Sequence, residues 1–197
     1  MGSCPVALVT GGSKGIGRET ARVLGKAGYT VYITGRDTRA LGSVREELVK
    51  EGIHAVSLHS DVRDQHACRQ LIKYIEDAEG RLDCVINNAG MSMRGLTEET
   101  DFEVVRAMVE INYLGSACIT HYALPMILSS RGSIVFISSL TALHGLPHVG
   151  PYGASKMALK GYAESLRIEL SGRGVHIGLV YVGLTESDPG KRVYGRD

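Results

Sequence analysis

Tryptophan is absent, phenylalanine occurs twice, and cysteine and proline are sparse, at four and five residues. The cysteines (Cys4, Cys68, Cys84 and Cys118) are scattered with no close pair. That spacing excludes a disulfide frame and a zinc-ligand motif, so they read as buried thiols in a reducing compartment. The seven histidines form no ligand-spaced pair of the His-Glu-x-x-His kind, and no metal is expected. No apolar run is long enough to span a bilayer. The N-terminus lacks the charged start and cleavage pattern of a secretion signal, and Val6 breaks the myristoylation pattern that Met1-Gly2 would open. A cytoplasmic location is therefore the default expectation. Lys and Arg total 22 against 21 Asp and Glu, with no basic run and no basic amphipathic helix. Neither a nucleic acid nor a membrane surface is expected as a partner.

Glycine, by contrast, is abundant, as a fold with many short strand-to-helix turns requires. Short β-branched runs alternate with longer stretches of helical pattern. Strands are predicted at Val6–Thr10, Thr30–Thr34, Ala55–His59, Cys84–Asn87, Ile134–Ile137 and His176–Tyr181. Helices are predicted at Ile16–Ala27, Arg39–Glu51, Gln65–Ala78, Phe102–Ile111, Tyr113–Leu128 and Tyr152–Leu170, with a kink or local adjustment at Pro125. Runs such as Val6-Ala7-Leu8-Val9 and Ile134-Val135-Phe136-Ile137 are apolar on both faces, the mark of a parallel sheet covered on both sides. The expected fold class is α/β, a doubly wound parallel sheet of six strands with helices on both faces, in one domain over residues 1–197. Residues 186–197 read as a loop-like tail.

The first predicted strand runs into Thr10-Gly11-Gly12-Ser13-Lys14-Gly15-Ile16-Gly17 and then a helix. Glycines there let the backbone approach a pyrophosphate, and the helix N-terminus offers free N–H groups and partial positive charge. Gly11, Ser13, Lys14, Gly15, Ile16 and Gly17 are the candidate phosphate contacts of a dinucleotide site. Where a binder of a free 2′-hydroxyl carries an acid after its second strand, this chain has Gly35-Arg36. Arg36 and Lys14 together can neutralise a 2′-phosphate, which favours NADP(H). Asp37 keeps NAD(H) as the alternative.

Further along, Tyr152 and Lys156 stand one helical turn apart, downstream of Ser139 at the end of a predicted strand. An ammonium beside a phenol favours the phenolate and brings it toward useful acid–base range. A serine hydroxyl can orient a carbonyl oxygen and stabilise the charge that develops on it. Hydride transfer between a nicotinamide and a carbonyl or secondary alcohol, with Tyr152 moving the proton, is the chemistry this set suits. The competing class is a nucleotide-binding regulatory or structural protein without turnover.

These motifs together resemble the classical short-chain dehydrogenase/reductase family, over Val6 to about Thr185. Thr10–Gly17 is similar to the family's Thr-Gly-x-x-x-Gly-x-Gly loop, and Asn87-Asn88-Ala89-Gly90 to its Asn-Asn-Ala-Gly segment along the cofactor. The resemblance implies a Rossmann-like fold. It places Asp61 and Val62 near an adenine, Asn88, Ala89 and Gly90 along the dinucleotide, and Asn112 in a proton relay behind Lys156. It implies that Tyr152 and Lys156 also touch the cofactor and that Thr185 meets the carboxamide, although Val182-Gly183 stands where the family has Pro-Gly. It further implies a homodimer paired through the long helices. Family members continue with a substrate-covering segment, a helix and a seventh strand, for which residues 186–197 are too few.

Overall fold

Six short runs rich in Val, Ile and Leu form one parallel sheet in the computed structural model, which describes residues 4–185. The strands are β1 (Val6–Thr10), β2 (Thr30–Gly35), β3 (Ala55–His59), β4 (Cys84–Asn87), β5 (Ser133–Ser139) and β6 (His176–Val182). Their order across the sheet is β3-β2-β1-β4-β5-β6. The chain winds outward from β1 to β3, then returns to the other side of β1 and winds outward again. β1 and β4 are neighbours, with Ala7 opposite Cys84, and that junction is where the winding reverses.

Period-two alternation explains why the central strands are apolar throughout. Val6 and Leu8 point into one core, Ala7 and Val9 into the other, and none of the four is exposed. Helices α1 (Gly15–Lys26) and α2 (Thr38–Lys50) cover one face with Ala21, Leu41, Val44 and Leu48. Helices α3 (Gln65–Glu79), α5 (Gly115–Ser130) and α6 (Gly150–Glu169) cover the other with Leu71, Ile75, Ile119, Ile127, Leu159 and Leu166. Each such side chain, fully buried, contributes roughly 1.5–3 kcal/mol.

The two helices expected on either side of Asn112 are one continuous winding. α4 (Phe102–Val109) passes through a π-type turn at Glu110–Leu114 directly into α5. α5 carries Pro125 within it and continues to Ser130. The wide turn has a sequence cause at its centre, where Asn112 is fully buried and bonded to another segment. α6 begins two residues earlier than expected because Pro151 fits the first turn, where its missing N–H costs nothing. The expectation that all cysteines are buried needs correction: Cys4 is exposed and Cys118 half-buried. Burial pushes the Cys84 thiol up to about 11, with the neighbouring Asp83 charge adding to this. The tail expected at 186–197 lies outside the described residues. Among the described residues, no helix is long and apolar enough to cross a membrane.

Candidate active site

A cleft of about 650 Å³ opens at the carboxyl ends of the strands, over the junction of β1 and β4. Short polar side chains hold that junction together. Thr10 Oγ1 accepts from the backbone N–H of Asn88 at 3.1 Å and of Ala89 at 3.0 Å, and donates to the Ile86 carbonyl at 3.3 Å. Asn88 Nδ2 donates to the carbonyls of Thr10 and Gly11 at 2.9 and 3.0 Å. The Asn88 carboxamide thus braces the glycine turn from below. Gly11 adopts φ +65° and Gly15 φ +53°, backbone that other residues resist. Gly17 serves closeness: a Cβ there would strike the Gly11 carbonyl oxygen and stand 2.5 Å from Asn88 Nδ2.

The starts of three helices differ in a telling way. Asp37 caps α2 by accepting from the Ala40 N–H at 2.9 Å, and Asp64 caps α3 by accepting from His66 and Ala67. Lys14 precedes α1 and makes no side-chain cap. Among the described residues, no side-chain carboxylate caps the first turn of α1, which opens on the cleft at Gly15 and Ile16. Asp37, the residue that kept a 2′-hydroxyl binder open, is already engaged as a helix cap. Arg36 beside it is exposed and lines the cleft.

At the other end of the cleft β5 delivers Ser139 and α6 delivers Tyr152 and Lys156, all three among its lining residues. Ser139 Oγ accepts from the Thr141 N–H at 3.2 Å, so the serine also caps the short turn that follows β5. That bond uses a lone pair and leaves the hydroxyl proton available, and Ser139 acts to lower the pKa of the Tyr152 phenol. Burial is the larger influence and pushes Tyr152 above the ordinary phenol value. Lys156 lies one turn further along α6. The ammonium sits 5.9 Å from the Tyr152 ring centroid and donates at 2.8 Å to the Ile137 carbonyl.

Asn112 stands behind this set and bonds to backbone groups of the loop after β4. Its Oδ1 accepts from the Met91 N–H at 2.8 Å, and its Nδ2 donates to the Met91 carbonyl at 3.0 Å and to Ser155 Oγ at 2.9 Å. Its carboxamide therefore ties the loop after β4 to α6, with Ser155 donating onward to the Tyr152 carbonyl at 2.7 Å. A Cβ on Gly90 would meet Asn112 Oδ1 at 3.1 Å and Lys156 Nζ at 3.6 Å, so the two polar groups converge on that glycine.

Gly11, Ser13, Lys14, Gly15, Ile16, Arg36, Asp61, Val62, Asn88, Ala89, Gly90 and Thr185 all line the same cleft as Ser139, Tyr152 and Lys156. Gly17 and Asn112 stand behind its wall. Sequence reasoning missed Thr34, Ser60 and Ser138 as lining residues; their hydroxyl oxygens are themselves buried, with no hydrogen-bond partner among the described residues. Their signal was positional. Each sits at or just past the carboxyl end of a strand, where an open α/β sheet places its ligand groups. His144 and His148, in the loop before α6, are exposed. His148 holds φ +65° and its carbonyl accepts from the Gly95 N–H at 2.8 Å, joining the two loops that flank Tyr152.

A doubly wound parallel sheet with a glycine turn at its reversal point and a Ser, Tyr and Lys set in the same cleft defines a dinucleotide-type α/β protein. The chain belongs to the short chain dehydrogenase family, whose profile matches residues 5–195. It is 34% identical over 183 residues to an uncharacterized oxidoreductase of Myxococcus xanthus, covering 92% of this chain and 72% of that protein. It is 37% identical over 185 residues to 11-beta-hydroxysteroid dehydrogenase 1A of Arabidopsis thaliana, covering 93% of this chain and 53% of that protein. Among solved structures, a variant of actinorhodin polyketide ketoreductase with NADPH superposes with TM-score 0.91 at 34% identity, covering 95% of this chain and 74% of that one. A metagenomic short-chain oxidoreductase in complex with NADP gives TM-score 0.87 at 32% identity, covering 92% and 83%. The chain spans 53 to 72% of the length of these curated relatives.

Proposed function

We propose that the protein is an NADP(H)-dependent oxidoreductase acting on a carbonyl or secondary alcohol. The observation that carries this reading is the convergence of Ser139, Tyr152 and Lys156 on one cleft with the glycine turn of Gly11 to Gly17. The cleft suits a dinucleotide on its own terms. Its phosphate end has Lys14 and the start of α1, which no side chain of the described residues caps, and its lining includes Thr34, Ser60 and Ser138. Preference for a 2′-phosphate rests on Arg36 at the end of β2 and on Asp37 being used as a cap. The relatives solved with NADPH and NADP support the same choice.

When bound, the nicotinamide supplies or accepts the hydride. The remaining work falls to side chains of this chain. Ser139 donates a hydrogen bond to the substrate oxygen and fixes its angle. In reduction Tyr152 gives its phenolic proton to that oxygen; in oxidation the phenolate takes it back. Lys156, buried beside the Tyr152 ring, supplies positive charge close to the developing phenolate and a donor for the ribose. Asn112 holds Met91 and Ser155 in place on either side of this set.

Titration of NADPH and NADH, followed by NADPH oxidation against a panel of ketones, tests the reading. NADPH is expected to bind more tightly than NADH, and Arg36→Asp is expected to weaken NADPH about tenfold or more, the scale of one charge-assisted contact, while sparing NADH. An unchanged ratio in the variant refutes the 2′-phosphate assignment. NADPH binding with no turnover of any carbonyl favours the regulatory alternative.

The reading extends to a homodimer paired through the α4–α6 side. Phe102, Leu114, Met157 and Ile168 expose apolar side chains on those helices and the turn between them. Sedimentation at micromolar concentration is expected to give a dimer; a monomer overturns this part.

A further inference from the structure

Asp61 leaves the end of β3 into the cleft, and Arg36 leaves the end of the neighbouring β2. The two strands are held in register there, with Gly35 opposite His59 and the Ser60 N–H donating to the Gly35 carbonyl at 3.0 Å. A carboxylate and a guanidinium therefore emerge side by side at the end of the cleft assigned to the adenosine. Left to themselves they would pair, and a paired Arg36 is less free to meet a phosphate.

Arg63 intervenes. Its backbone N–H donates to Asp61 Oδ1 at 3.0 Å, its Nε to Oδ1 and Oδ2 at 3.1 and 3.0 Å, and its Nη2 to Oδ2 at 2.6 Å. Both carboxylate oxygens are thus engaged by one residue two positions away, in the forked arrangement that suits guanidinium to carboxylate. The Arg63 hydrogen bonds are the main influence holding the Asp61 carboxyl below its usual range, and the charge of Arg36 acts in the same direction. Arg36 is thus close enough to feel Asp61 yet is not the residue bonded to it.

We infer that Arg63, which does not line the cleft, is a specificity-determining positioning residue: by occupying Asp61 it keeps Arg36 available for the 2′-phosphate of NADP(H). The inference rests on the cofactor reading above. Arg63 sets the NADPH over NADH ratio through another side chain, with no contact of its own to the cofactor. Losing Arg63 leaves Asp61 as a bare carboxylate beside Arg36. The carboxylate then competes with the phosphate for Arg36 and repels the phosphate directly.

The test measures dissociation constants for NADPH and NADH with the wild type, Arg63→Ala, Asp61→Asn, and the double variant. Arg63→Ala is expected to lower the NADPH over NADH preference about three- to fivefold, the range of a partly exposed ion pair, mostly through weaker NADPH binding. The loss should shrink as salt is raised. The double variant should regain the preference of Asp61→Asn, because no free carboxylate remains to capture Arg36. A preference unchanged in Arg63→Ala, with the wild type favouring NADPH, overturns this inference alone. A preference lost equally in Arg63→Ala and the double variant also overturns it, since Arg63 would then be meeting the phosphate itself. A wild type that does not favour NADPH overturns the cofactor reading and this inference with it.

Discussion

Tyr152→Phe is expected to lower kcat for carbonyl reduction by about 10²- to 10⁴-fold, the usual contribution of a positioned acid, while leaving NADPH affinity nearly unchanged. The substitution removes one oxygen from a residue whose ring is otherwise kept. The phenyl face still meets the Lys156 ammonium, and α6 keeps its start at Gly150 and Pro151. What disappears is the proton donor next to Ser139. The pH profile carries a second signature. Burial holds the Tyr152 phenol above its ordinary value, so the group is protonated through the neutral range. A donor of that kind gives a reduction rate that is flat near neutrality and falls only at alkaline pH. Alcohol oxidation, which needs the phenolate, should rise with pH over the same interval, and the variant should lose both limbs. Equal turnover by the two proteins removes Tyr152 from the mechanism.

That upward shift was not legible from residue spacing. One helical turn between Tyr152 and Lys156 says that the two share a face, and the structure keeps them there. It does not say which way the ammonium points. The Ile137 carbonyl at the end of β5 claims Nζ, and that contact depends on how α6 lies across the sheet. The sheet itself was readable because its central strands are apolar on both faces, a pattern that few other arrangements satisfy. Gly11, Gly15, Arg36 and Ser139 were readable for a related reason: each lies at a strand end or in the turn after one, and the turn chemistry is local. Thr34, Ser60 and Ser138 share that placement, but Ser and Thr are common at strand ends, so nothing singled them out before the cleft was seen. The π-type turn was hidden more deeply. The residues Glu110–Leu114 have ordinary helical composition, and what widens the winding is a bond from Asn112 to a segment 21 residues away.

Asn112 accordingly offers the sharpest test of how the cleft is held. Asn112→Ala is expected to destabilise the protein by about 2–4 kcal/mol, read as a shift in urea midpoint at unchanged slope. The alanine leaves the N–H and carbonyl of Met91 without their partner in a partly buried setting and removes a buried donor from Ser155. Below the melting range the variant should lose less kcat than Tyr152→Phe, because the Asn112 side chain is bonded to Met91 and Ser155 and supplies no proton to the substrate oxygen. Asn112→Asp separates the geometry from the charge. A protonated carboxyl can still accept from the Met91 N–H and donate to the Met91 carbonyl, whereas a carboxylate faces that carbonyl with a second negative oxygen. Burial and this repulsion raise the aspartate in the folded state above its unfolded value of about 3.9. Stability contributed by a group raised in this way is fully present below the unfolded pKa and is lost as pH climbs through the folded one. The Asp variant should therefore approach the wild type in acid and fall away from it toward neutral pH, while the Ala deficit stays level. If both variants unfold at the wild-type urea concentration at pH 7, the loop after β4 is held by something other than Asn112.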